Sequence, residues 1–158
     1  RILLMVEMNW QGGIVLDTGR NFSIGEPHPV TRRVFEGSVK AQKYVASLMK
    51  PGAIPSEIEK KASEYARELG INMLTWNLLH GLGNTKTELP DLRDDTTKDL
   101  PLLENMYLLC EPNTCIPYGD PAAPGFDPAN VIVIPNTYLV TTAGGEKTVD
   151  FPDEIIVL

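Results

Sequence analysis

Two amphipathic stretches follow one another directly, and short apolar runs lie on both sides of them. That order, strands then two helices then strands, constrains the fold more than any other feature. The first stretch covers residues 31–49. Val34, Phe35, Ala41, Val45, Leu48 and Met49 form its apolar side, while Arg32, Arg33, Lys40 and Lys43 are mostly exposed. Pro51-Gly52 stops it. The second helix begins at Ser56, where Ser56 and Glu59 have the spacing of a capping box. Ile58, Ala62, Tyr65, Ala66 and Leu69 make its inner stripe, and Gly70 is a left-handed stop.

On the N-terminal side, residues 2–6 read as a buried strand, Gly12-Gly13 as a turn or bulge, and residues 14–16 as the start of the next strand. On the other side, residues 106–110, 131–134, 137–142 and 155–158 read as strands. Pro135-Asn136 and Ala143-Gly144-Gly145 separate them. Proline and glycine make residues 25–29 and 117–128 loops, and His28 reads as a loop residue. Residues 91–99 are an exposed, acidic excursion. This order predicts one α+β domain with a largely antiparallel sheet.

The net charge of −7 argues against a nucleic-acid surface and against an anionic membrane. No run is long and apolar enough to cross a bilayer. Cys110 and Cys115 do not form a CxxC pair and read as reduced thiols. A cytoplasmic location is the default expectation.

Polar residues recur in particular settings. Asp17 is followed by Arg20, Phe22 and, after Ile24, Gly25. His80-Gly81-Leu82-Gly83, Glu88-Leu89-Pro90 and Glu111-Pro112 come later. Taken singly, each has a plain reading: Asp17 and Arg20 as a weak surface pair, His80 as a core histidine, Glu88 and Glu111 as ordinary glutamates before a proline.

In combination these motifs resemble the pita-bread family, which includes methionine aminopeptidase, aminopeptidase P, prolidase and creatinase. The resemblance implies a curved, largely antiparallel sheet with two main helices. It covers nearly the whole chain as the C-terminal part of such a domain, residues 1–158. The family's preceding half-domain and separate N-terminal domain have no counterpart here. Arg1 opens directly into an apolar strand, which fits an incomplete piece. A homodimer, or association with the other half-domain, is the expected partner.

The family holds two metals with two aspartates, a histidine and two glutamates, and the cations polarise a carbonyl and acidify a bound water. By resemblance, Asp17, His80 and Glu111 match three of these ligands and carry the catalytic roles. Glu7 matches a fourth only if the register shifts by one; otherwise it points to solvent at a strand end. Pro135 stands where the fifth ligand belongs and cannot ligate, and Asn136 beside it is neutral. The expectation is one divalent ion (zinc, manganese or iron) rather than a pair. Thr87 replaces the family's second histidine. Arg20, Thr87 and Glu88 are the expected substrate binders, with Arg20 orienting a carboxylate. The implied function is hydrolysis of a C–N bond, of the creatinase or Xaa-Pro dipeptidase type, in a dipeptide or small guanidino compound. The alternative is a non-catalytic module that holds a peptide or protein partner in the same cleft.

Overall fold

The computed structural model describes residues 2–9, 11–74, 77–115 and 131–158, leaving out the side chain of Gln11. Arg1 and the expected loop at 117–128 lie outside the described residues. The elements in chain order are β1 (Ile2–Asn9), a 3-10 turn (Gln11–Gly13), β2 (Val15–Ser23), α1 (Pro29–Leu48) and α2 (Pro55–Glu68). Then come β3 (Asn72–Leu74), β4 (Leu79–Gly81), β5 (Glu88–Asp91), β6 (Tyr107–Cys110), β7 (Asn113–Cys115), β8 (Ile132–Val133), β9 (Asn136–Thr141), β10 (Gly144–Lys147) and β11 (Ile156–Val157).

Among the described residues the strands fall into three sheets, ordered β1-β2-β11, β10-β9-β6-β4-β5 and β3-β7-β8. All pairings are antiparallel except β11 with β2. The fold is the α+β, pita-bread type that the residue pattern implies, although the expected single sheet is divided. Proline explains two of the divisions. Glu111-Pro112 separates β6 from β7, and Ile134-Pro135 separates β8 from β9. A proline has no N–H to donate, so a ladder breaks where one stands.

Helix α1 buries Val34, Phe35, Ala41, Val45 and Ala46. At Gly37 a Cβ would lie 2.9 Å from the Cδ1 of Ile71, so the missing side chain leaves room for the Ile71 side chain to pack against α1. Helix α2 buries Ile58, Ala62 and Ala66, and its Tyr65 ring packs 4.5 Å from Tyr44 of α1. The main core joins Val45, Met49, Ile58, Leu78, Leu79, Leu102, Leu108 and Val140. Each large apolar side chain sealed there contributes about 1.5–3 kcal/mol relative to an exposed one.

Several local expectations change. His28 is a helix cap rather than a plain loop residue: its Nδ1 accepts the Val30 N–H at 3.3 Å, and α1 starts at Pro29. Ser56 and Glu59 form no capping box, because α2 begins one residue earlier at Pro55 with Ile54 as its cap. Ser56 instead donates to the Asp99 carboxylate and ties down the 91–99 segment, in which Leu92 and Thr97 are buried. The turn expected at 143–145 closes sooner, and Gly144-Gly145 belong to β10. Residues 2–6 form part of β1, but as an exposed edge. Ile2, Leu4, Met5, Val6 and Met8 remain accessible, and among the described residues β1 pairs with β2 alone.

Candidate active site

Strand β2 carries the first candidate group. It pairs with β1 in a register that places Glu7 directly opposite Asp17, so both carboxyl groups project from one face. No register shift is needed to bring Glu7 there. Asp17 is 1% exposed, and its Oδ1 has no hydrogen-bond partner among the described residues. The start of β2 is pinned by the Val15 N–H, which donates to Gly83 O at 2.7 Å. Val15 packs with Leu82 and Leu109.

The sheet β4-β6-β9 supplies the next groups. Leu109 lies opposite His80 on one side and opposite Thr137 on the other. Glu111 follows two residues later and therefore shares that face with His80. The Glu111 N–H donates to Leu78 O at 2.9 Å. Its Oε2 accepts from Asn77 Nδ2 at 2.7 Å. Asn77 was not singled out from the sequence; its position three residues before His80 is the sole local hint.

Glu111 feels the charge of Asp17. Burial raises the Asp17 pKa to about 6, and the neighbouring charge of Glu7 adds to this. Burial also raises Glu111 to about 7, and the Asp17 charge adds to it. His80 is buried, and desolvation lowers its pKa, so its imidazole is neutral near pH 7. Its Nδ1 lies 2.9 Å from Gly81 O. Asp91 of β5 sits opposite His80 and is held by Arg93, with Nε and Nη2 contacts of 2.9 Å.

No sequence motif marks Lys86. The segment between β4 and β5 carries it back over β1, where its Nζ lies 2.7 Å from Glu7. Nothing local in the sequence pairs these residues, because they are 79 positions apart. They line an open cavity of about 280 Å³ together with Met8, Asn9, Val15, Asn84 and Thr85.

The expected substrate binders are engaged elsewhere. Strand alternation turns Arg20 away from the Asp17 face. Its Nη1 donates to Asn136 Oδ1 at 3.1 Å and Thr18 Oγ1 at 3.4 Å, and its guanidinium sits 4.6 Å from the centre of the Phe151 ring. Arg20 is therefore a buried brace, placed where it cannot orient a carboxylate on the Asp17 face. Thr87 Oγ1 accepts from Arg93 at 3.2 Å, and Glu88 Oε1 accepts the Thr85 N–H at 3.0 Å. Both shape the β4–β5 connection.

Pro135 sits against Gly19, two residues from Asp17 on the same strand. Asn136 points the opposite way. Its Nδ2 donates to Gln42 Oε1 of α1 at 2.8 Å, and Gln42 Nε2 donates to Cys110 O at 3.1 Å and Ile134 O at 2.5 Å. Both cysteines are free and buried.

The unpartnered Asp17 oxygen is the feature that most favours a bound cation here. The remaining donors do not complete a centre. Among the described residues, no three His, Cys, Asp or Glu side chains are grouped so that they could hold a metal ion. The expected set of Asp17, His80 and Glu111 is therefore not assembled as ligands. The Pro135 ring offers no donor, and Lys86 already places a positive charge beside Glu7. The residues present do not fit a preformed metal centre.

Comparison with known proteins adds a relationship. The profile of metallopeptidase family M24 matches residues 2–142. A Xaa-Pro dipeptidase of Pyrococcus furiosus is 31% identical over 104 residues, which is 64% of this chain and 29% of that protein. Among solved structures, dipeptidase PepE from Mycobacterium ulcerans superposes with a TM-score of 0.77 at 21% identity, covering 98% of this chain and 39% of that one. X-Pro aminopeptidase from Thermotoga maritima gives 0.76 at 23% identity, covering 99% and 42%. The chain thus spans 29% to 42% of the length of these relatives. Among the described residues, no helix is long and apolar enough to cross a membrane.

Proposed function

This chain belongs to metallopeptidase family M24, and on that premise we propose that it is a C–N bond hydrolase of the Xaa-Pro dipeptidase type, with a degenerate centre built on carboxyl groups. The observation that carries this reading is the buried Asp17 carboxyl, with one oxygen unpartnered among the described residues and Glu7 directly opposite, whose charge helps to raise the pKa of buried Glu111. Two carboxyl groups in unequal surroundings can divide acid and base work. Asp17, the more acidic, takes a proton from the attacking water. Glu111, the less acidic, gives one to the departing amine nitrogen. Neutral His80 on the Glu111 face positions the substrate by a hydrogen bond. A dipeptide with proline after the scissile bond is the substrate that the Pyrococcus furiosus relative suggests.

The exposed apolar side chains of β1 support a partner that covers them, either a second copy or a complementary half-domain. Sedimentation of the purified chain reads this directly. A monomer at all concentrations removes it.

The test of the function is turnover of Xaa-Pro dipeptides by the full chain, with and without a chelator. Cleavage should persist in chelator and fall about a hundredfold or more in Asp17→Asn and in Glu111→Gln. Absence of cleavage, or cleavage abolished by chelator, overturns the proposal. A second reading, a non-catalytic peptide-binding module, is favoured by one observation: Pro135 fills the position that resemblance assigns to a carboxylate. Saturable peptide binding without turnover selects it.

A further inference from the structure

Lys86 is the one cationic side chain hydrogen-bonded to the carboxyl cluster among the described residues. Its Nζ is 2.7 Å from Glu7, and Glu7 faces Asp17 across the β1–β2 pair. Glu7 and Asp17 share one face of the β1–β2 pair, and the charge of Asp17 also acts on Glu111, so positive charge nearby is favourable. In a metallopeptidase family that charge is expected from a metal, yet among the described residues no three side chains are grouped to hold one.

We propose that Lys86 is the built-in counter-cation of this site, its ammonium offsetting Glu7, Asp17 and Glu111 in place of a metal ion and disfavouring metal entry by like-charge repulsion. The charges of Asp17 and Glu111 both act on Lys86, whose pKa is raised first by the hydrogen bond to Glu7. Lys86 in turn lowers the pKa values of Asp17, Glu111 and His80. One ammonium is thus felt by each candidate group. It reaches them from the exposed segment between β4 and β5, whereas Asp17 is buried on a strand.

The inference concerns the same site as the proposed hydrolase and rests on that assignment of the site. It is read without substrate, so a chain that cleaves nothing leaves it testable. Two measurements on the full chain decide it. Calorimetric titration with Mn²⁺ and Zn²⁺ should show binding about tenfold tighter in Lys86→Met than in the native chain. Equal or weaker binding in the variant, or no binding in either, overturns the proposal. In melting experiments, Lys86→Met should lower Tm in the native background and lower it less in Asp17→Asn/Glu111→Gln, where only the Glu7 contact of Lys86 remains. An equal loss in both backgrounds overturns it as well.

Discussion

Gly19 and Pro135 meet where β2 passes the approach to β9: the Gly19 N–H donates to Pro135 O at 3.1 Å, and a Cβ on residue 19 would lie 2.7 Å from Pro135 Cγ. The contact locks the strand that carries Asp17 onto the sheet next to the one that carries Glu111. Gly19→Ala should therefore cost about 1–3 kcal/mol by overpacking, read as a lower urea midpoint at unchanged slope. A native midpoint would mean that the two strands are not held together here.

Pro135→Glu places a carboxylate beside Asp17. Added ligand charge raises divalent affinity, so calorimetry with Mn²⁺ should show about tenfold tighter binding than in the native chain. Unchanged affinity would mean that residue 135 does not present its side chain to Asp17.

Asn136 is held between Gln42 and Arg20. Asn136→Ala strips a partner from each and leaves buried polar groups unpaired, at a cost of about 1–3 kcal/mol in denaturant unfolding. Asn136→Asp keeps an acceptor for Arg20 and should lose less. Reversal of that order would show that the amide's contact with Gln42 matters more than its contact with Arg20.

The buried carboxyls set a pH dependence. Asp17 rises from 3.8 to about 6 and Glu111 from 4.5 to about 7. A raised acid pKa means that the folded chain keeps its proton to higher pH than the unfolded chain. The stability these groups contribute is therefore complete below about pH 4 and is lost as pH rises through about 6 to 7. Asp17→Asn removes one titration, so it should raise Tm at pH 7.5 by an amount equivalent to about 3 kcal/mol or less and change little at pH 4. A Tm gain that is the same at both values would contradict the assignment.

The division between sequence and fold shows in particular residues. The α1 and α2 stripes are legible because helical periodicity is local: Val34, Ala41 and Val45 must share a side whatever lies opposite. Asp17, His80 and Glu111 stand out as motifs for the same reason, each within a few neighbours. What a strand face meets is not local. Arg20 looks like a site residue until strand alternation and the Asn136 contact turn it inward. Ser56 reads as a cap until Asp99 claims its hydroxyl.

The chain's own order thus determined which segments are helix and strand, and which side chains could do chemistry. Whether those side chains assemble was left to tertiary structure. Lys86 reaches Glu7 across 79 residues, Pro135 presses on Gly19, and β1 is left at an edge with its apolar residues uncovered. The physical reason is range. Propensity and periodicity act over a few residues, whereas the balance of charge at a site depends on which distant strands the topology places side by side.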